Sequence, residues 1–119
     1  EIGVRGRQPV AVRGLGGLYT WFQHSIIVHA VADTPTGPYT VLGTALEGTG
    51  DDRFDGTTTH NPHIIRHRSG LFLLYYIGMN CRLHPGDACE HFQSIGVASS
   101  TSLDGPWERH PTPVLEADL

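Results

Sequence analysis

Residues 60–78 read HNPHIIRHRSGLFLLYYIG, and the reading of this stretch decides the fold. It opens on a His-Asn-Pro start and passes through a short β-branched run. A Ser69-Gly70 turn follows, then an almost unbroken apolar and aromatic segment from Leu71 to Gly78. Such a run, rich in Leu, Tyr and Ile and bounded by glycines, suits a strand covered on both faces better than one with a wet side. NPHIIRH, by contrast, alternates. His63, Ile65 and His67 fall on one face and Pro62, Ile64 and Arg66 on the other. The histidines at 63 and 67 then lie about 13 Å apart along an extended strand and cannot share one metal ion.

The same pattern occurs earlier in the chain. QPVAVRGLGGLY (Gln8 to Tyr19) aligns with NPHIIRHRSGLF (Asn61 to Phe72) at a shift of 53 positions, matching Pro9 with Pro62, Arg13 with Arg66 and Gly17-Leu18 with Gly70-Leu71. The stretch from Ala30 to Thr40 aligns with ASSTSLDGPWE (Ala98 to Glu108) at a shift of 68, matching Ala30 with Ala98 and Gly37-Pro38-Tyr39 with Gly105-Pro106-Trp107. The difference of 15 residues is an insertion in the second unit, and it holds NCRLHPGDACEHF. Each unit reads as four short strands: VAVRG, GLYTWF, SIIVHAVAD and YTVLGTAL, then NPHIIRH, LFLLYYIG, SIGVASS and WERHPTPVL. No segment sustains a helical period, and Gly and Pro recur between the runs.

The expected fold class is therefore all-β: a β-propeller fragment of about two four-stranded antiparallel blades, residues 1–52 forming the first and 53–119 the second. Propellers close with four or more blades, so two blades require the remaining blades of a longer chain or self-association. With 39% hydrophobic and 17% charged residues among 119, a packed core is affordable. A net charge of −4 with eight scattered Lys and Arg argues against nucleic acid as a partner. No apolar run approaches the about eighteen residues of a membrane span.

Cys81 and Cys89 interleave with His84 and His91 as C-x2-H-x4-C-x-H. The pair reads first as a disulfide pinching a surface loop, which fits a secreted or periplasmic protein. Free thiols, or a zinc set of Cys81, His84, Cys89 and His91, stand as alternatives. No cofactor is expected.

HNPHI, the LFLLYYIG run, SIGVASS with the following DGPW, and PVL together resemble the five-bladed β-propeller glycoside hydrolases, in particular the arabinanase and xylosidase group, glycoside hydrolase family 43. The resemblance implies a carbohydrate ligand and a site at one mouth of the central channel, built from the starts of the innermost strands. Relatives carry an Asp before the Pro of the first two blades; here Gln8 and Asn61 stand there, and neither ionises. His60, Asn61, Gln8, Arg7 and Trp21 are the expected saccharide contacts, with Phe54 an alternative stacking ring. Asp55, in the Gly-rich GTGDDRFDG segment, is the substitute catalytic carboxylate if that loop overhangs the channel; otherwise the segment is a solvated loop. A non-catalytic carbohydrate-binding propeller is the alternative function.

Overall fold

A computed structural model describes residues 2–7, as backbone, and 21–116. It is nearly all β, with two antiparallel sheets in an arrangement compatible with a partial propeller. The first sheet orders β1 (Ile2–Arg7), β2 (Ile26–Val31) and β3 (Thr40–Leu46); the second runs in chain order through β4 (Thr58–Arg66), β5 (Phe72–Met79), β6 (Ser94–Ser100) and β7 (Glu108–Arg109). Among the described residues no helix is long and apolar enough to cross a membrane.

The 68-residue relation holds at the level of register. Val31 pairs with Thr40 and Ala30 with Val41 in the first sheet; Ser99 pairs with Glu108 and Ala98 with Arg109 in the second. Both connecting turns carry a glycine at positive φ (Gly37 at 84°, Gly105 at 78°) ahead of a cis proline. That left-handed conformation is one that glycine adopts without the clash a Cβ brings. The 53-residue relation differs. Residues 8–19 lie outside the described residues, and so does the expected VAVRG strand. Trp21 and Phe22, expected in a strand, sit instead in a single helical turn, α1 (Trp21–His24). The strand beside β2 is β1, not GLYTWF. Ser25 closes the helical turn, its backbone N–H and its hydroxyl both donating to the Trp21 carbonyl at 3.0 and 2.8 Å.

β4 and β5 meet through the expected Ser69-Gly70 turn, where Gly70 has φ 91° and His67 N–H donates to the Leu71 carbonyl. The outer strand is shorter than WERHPTPVL suggests. It spans Glu108–Arg109, and the chain regains the sheet only at Leu115, opposite Ile95. Pro111 and Pro113 lie between these points and have no N–H to give to a ladder.

The core forms where one face of the second sheet meets β2 and β3. Leu74, Tyr76 and Ala98 pack with Ile27 and Leu46, and Phe54, Ile64, Ala45 and Trp107 close the margin. Burying each of the larger side chains is worth roughly 1.5–3 kcal/mol. On the opposite face of β5, Leu73, Tyr75 and Ile77 are only half-buried, so the two-sided cover expected for LFLLYYIG exists here on one side. A second cluster joins Phe22, Met79 and Cys89, with Trp21 and Cys81 against it.

Two glycines make room for the loop that precedes β4. A Cβ at Gly96 would lie 2.6 Å from both Phe54 Cζ and Tyr76 Cζ, and one at Gly78 would lie 2.6 Å from Asp55 Cβ. Phe54 can therefore stack on Tyr76 (centroids 6.2 Å, planes 20° apart) directly above the strands. Gly96→Ala should cost about 1–3 kcal/mol from overpacking. Gly43→Ala, with open space around its Cβ, serves as the control. Urea unfolding compares the two, and equal midpoints would rule out the close approach as a constraint on the fold.

Candidate functional site

The N-terminal end of β4 collects most of the expected site residues. β4 starts at Thr58, three residues before the expected NPH start, and its pairing with β5 breaks between His60 and His63. Asn61 occupies the break with φ 50°, the left-handed conformation that asparagine tolerates better than most side chains. Pro62 thus sits at a bulge, a place where a strand accepts a residue without an N–H. The bulge leaves Asn61 exposed, while Thr58, Thr59 and His60 before it are buried.

Each buried side chain is tied to another element. Thr58 Oγ1 donates to the Phe22 carbonyl at 2.6 Å and Thr59 Oγ1 to the Leu46 carbonyl at 3.0 Å. His60 is 4% exposed and meets Trp21 edge-on, ring centroids 5.0 Å apart. Its Nε2 has no hydrogen-bonding partner among the described residues. The expectation of a channel-facing His60 thus meets a ring lying beneath Trp21, which is itself half-buried. Burial holds the imidazole below the usual histidine range, and a hydrogen bond with Asn61 works in the opposite sense. Arg7 ends β1 opposite Ile26, and Gln8 lies outside the described residues.

Asp55 is 1% exposed, so it does not belong to a solvated rim. The Tyr76 hydroxyl donates to its Oδ2 at 2.7 Å and Arg109 Nη1 donates to the same oxygen at 2.9 Å. Arg109 also donates to the Glu47 carbonyl. The carboxylate is thereby committed to the joint between the second sheet and the loop before β4. Burial pushes the Tyr76 phenol well above its ordinary value, with the Asp55 carboxylate adding to the shift. Asp51 and Asp52 of the same loop are exposed, as a solvated loop would have them. Asp51 is held below the usual carboxylate range by the Thr49 hydroxyl and the Arg53 N–H. Sequence reasoning missed Arg109 and Tyr76 as partners of Asp55. Arg109 is 54 positions away and carries no motif that could have announced it.

Cys81 and Cys89 form a disulfide with Cα atoms 4.9 Å apart. The zinc alternative at Cys81, His84, Cys89 and His91 fails for that reason, since neither sulfur is available as a thiolate. His84 instead stacks on Phe92 at 3.7 Å with planes 3° apart. The disulfide packs Cys89 against Phe22 and Met79, with Trp21 and Cys81 against the same cluster.

No family model matches the chain, and no curated protein matches it. Among solved structures it is similar to Zg3597, a family 117 glycoside hydrolase produced by the marine bacterium Zobellia galactanivorans, with a TM-score of 0.62 and 26% identity. The match covers 78% of this chain and 25% of that one, so the chain corresponds to a quarter of that protein's length. The fold is glycoside hydrolase-like.

Two outcomes follow from this geometry. Asp55→Asn should cost about 3–5 kcal/mol by leaving Arg109 without its counter-charge. In a double-mutant cycle with Arg109→Met the two losses should be strongly non-additive, whereas simple additivity would mean that the pair is not coupled. For His60, the lowered folded pKa means that the unfolded chain takes up a proton first as pH falls. Stability is then complete above the ordinary histidine pKa of about 6.5 and declines below it, down to the folded value. A His60→Gln variant should show a smaller drop in urea midpoint between about pH 7.5 and about pH 5 than the parent. Identical drops would remove His60 as the source.

Proposed function

We propose that the chain forms two blades of a five-bladed propeller of the glycoside hydrolase type, the first over residues 1–52 and the second over 53–119. The observation that carries this reading is the 26% identity and 0.62 TM-score to a glycoside hydrolase over most of the chain. The half-buried outer face of β5 supports it, since a neighbouring blade would cover Leu73, Tyr75 and Ile77. The group includes the arabinanase and xylosidase type that the sequence resembles. The ligand is a poly- or oligosaccharide, and the disulfide suits an exported protein.

The saccharide meets this chain at the start of β4. Asn61, exposed on its bulge, offers an amide that both donates to and accepts from sugar hydroxyls. Trp21 offers a ring for the apolar face of a sugar. His60 is a positioning residue, fixing the tilt of Trp21 from below. Arg7 and Gln8 belong to the corresponding start in the first blade.

Cleavage of a glycosidic bond needs two carboxyl groups, about 5–5.5 Å apart for retention or about 6.5–9.5 Å for inversion. Asp55 does not serve as one of them in this reading, because its charge is neutralised inside the protein by Arg109. The two carboxyl groups are assigned to other segments of the parent protein. A second reading, a propeller that binds saccharides without cleaving them, is favoured by the same engagement of Asp55 and by the non-ionising Gln8 and Asn61.

The full-length protein, incubated with neutral plant and algal polysaccharides, should release reducing ends. Asn61→Ala and Trp21→Ala should each lower kcat/KM by about tenfold or more, as expected for the loss of one good contact. Saccharide binding without product would select the second reading. Neither binding nor release on any polysaccharide would defeat both.

A further inference from the structure

The inserted loop of the second blade supplies none of the saccharide contacts just described, yet it builds a pocket of its own. Between this loop and the segment after β7 lies a cavity of about 370 Å³ whose lining includes Asn80, Leu83, His84, Phe92, Pro113 and Glu116. We infer that this cavity is a second saccharide-binding pocket, taking one end of a neutral sugar chain whose other end lies at the start of β4.

The wall formed by the loop is braced at its base. The Cys81–Cys89 disulfide closes the loop, and Asn80 anchors its base through all of its side-chain bonding groups. The Asn80 amide donates to the Asp51 and Arg53 carbonyls at 2.9 and 2.6 Å, and its Oδ1 accepts from the N–H groups of Arg82 and Leu83 at 3.0 and 3.3 Å. A pocket held this way loses little conformational freedom on binding.

The lining has the mixed character that sugars require. His84 and Phe92 are stacked in parallel, which makes a flat double slab, and Pro113 adds a second apolar surface. Leu83 remains 50% exposed at the pocket, a large apolar side chain left in water. Glu116 supplies two strong acceptor oxygens suited to a pair of sugar hydroxyls. The nearest guanidinium of the loop, that of Arg82, is directed to Asp52 and the Gly50 carbonyl. The charge at the pocket is therefore the Glu116 carboxylate, which selects neutral over anionic sugars.

Register places the pocket relative to β4. Thr59 pairs with Gly78 and Gly78 with Ser94, a single row across three strands, and Ser94 lines the pocket while Thr59 precedes His60. From β4 to β6 this row spans about 10 Å. The ligand class rests on the saccharide reading proposed above; the pocket itself does not.

The test is NMR titration of the protein with neutral β-1,4-linked hexasaccharides of glucose, xylose and galactose, with a proline-rich peptide as a separate arm. At least one hexasaccharide should shift the amide signals of Leu83, His84, Phe92 and Glu116 together with that of Asn61. Glu116→Gln and Leu83→Ser, both at exposed positions, should leave thermal unfolding unchanged and each weaken binding by about tenfold. Shifts at Asn61 without shifts at the pocket would overturn this inference and leave the proposed function standing. Pocket shifts with the peptide alone would overturn it too. No shift anywhere with sugars at about 1 mM or above would overturn both.

Discussion

The Asp55 carboxylate, buried and shared by Tyr76 and Arg109, is the constraint on which the rest of the second sheet depends. A charge at 1% exposure is tolerable only where a counter-charge and hydrogen bonds meet it. Tyr76 comes from the middle of β5, Arg109 from the outer strand, and Asp55 from the loop entering β4. One oxygen therefore fixes three segments that are distant in sequence. Arg109 extends the tie to the Glu47 carbonyl, just past the end of β3, so the same guanidinium links the two sheets. The absence of side chains at Gly78 and Gly96 lets the loop descend far enough for this joint to form.

From that joint the candidate site follows by short steps. The loop enters β4 at a fixed height, Thr58 and Thr59 are hydrogen-bonded to α1 and β3, and His60 is held under Trp21. Asn61, at the bulge, is the first polar side chain that the strand releases to the surface. The acid suggested by the sequence and the contact residues thus fall into different classes. Asp55 is engaged inside the structure, whereas Asn61 is exposed and Trp21 half-buried beside it.

What could be read in the sequence was whatever local chemistry dictates. The LFLLYYIG and SIGVASS strands, the Ser69-Gly70 turn and the paired Gly-Pro turns all depend on residues within a few positions of one another, and the structure places them as expected. The Cys81–Cys89 disulfide closes a loop of short span and was equally accessible. The expected strand through Trp21 and Phe22 failed because aromatic content signals burial, and a helical turn buries Phe22 as well as a strand does. Asp55 was misplaced for a different reason. A Gly-rich acidic segment looks solvated unless one knows that an arginine arrives from beyond the second turn. The bulge at Asn61 was hidden because Asn-Pro marks a strand start and an interruption equally well.

The short outer strand has a further consequence. β7 offers only two residues of backbone before Pro111 and Pro113, and the chain then folds back so that Val114 and Leu115 bond to Ile95. A long, flat outer strand would present a row of unpaired N–H and C=O groups to any passing chain. Here that row is cut short by residues that cannot donate, and the returning segment pairs with β6 instead of lengthening β7. The outer rim is thereby a poor template for edge-to-edge pairing with another chain.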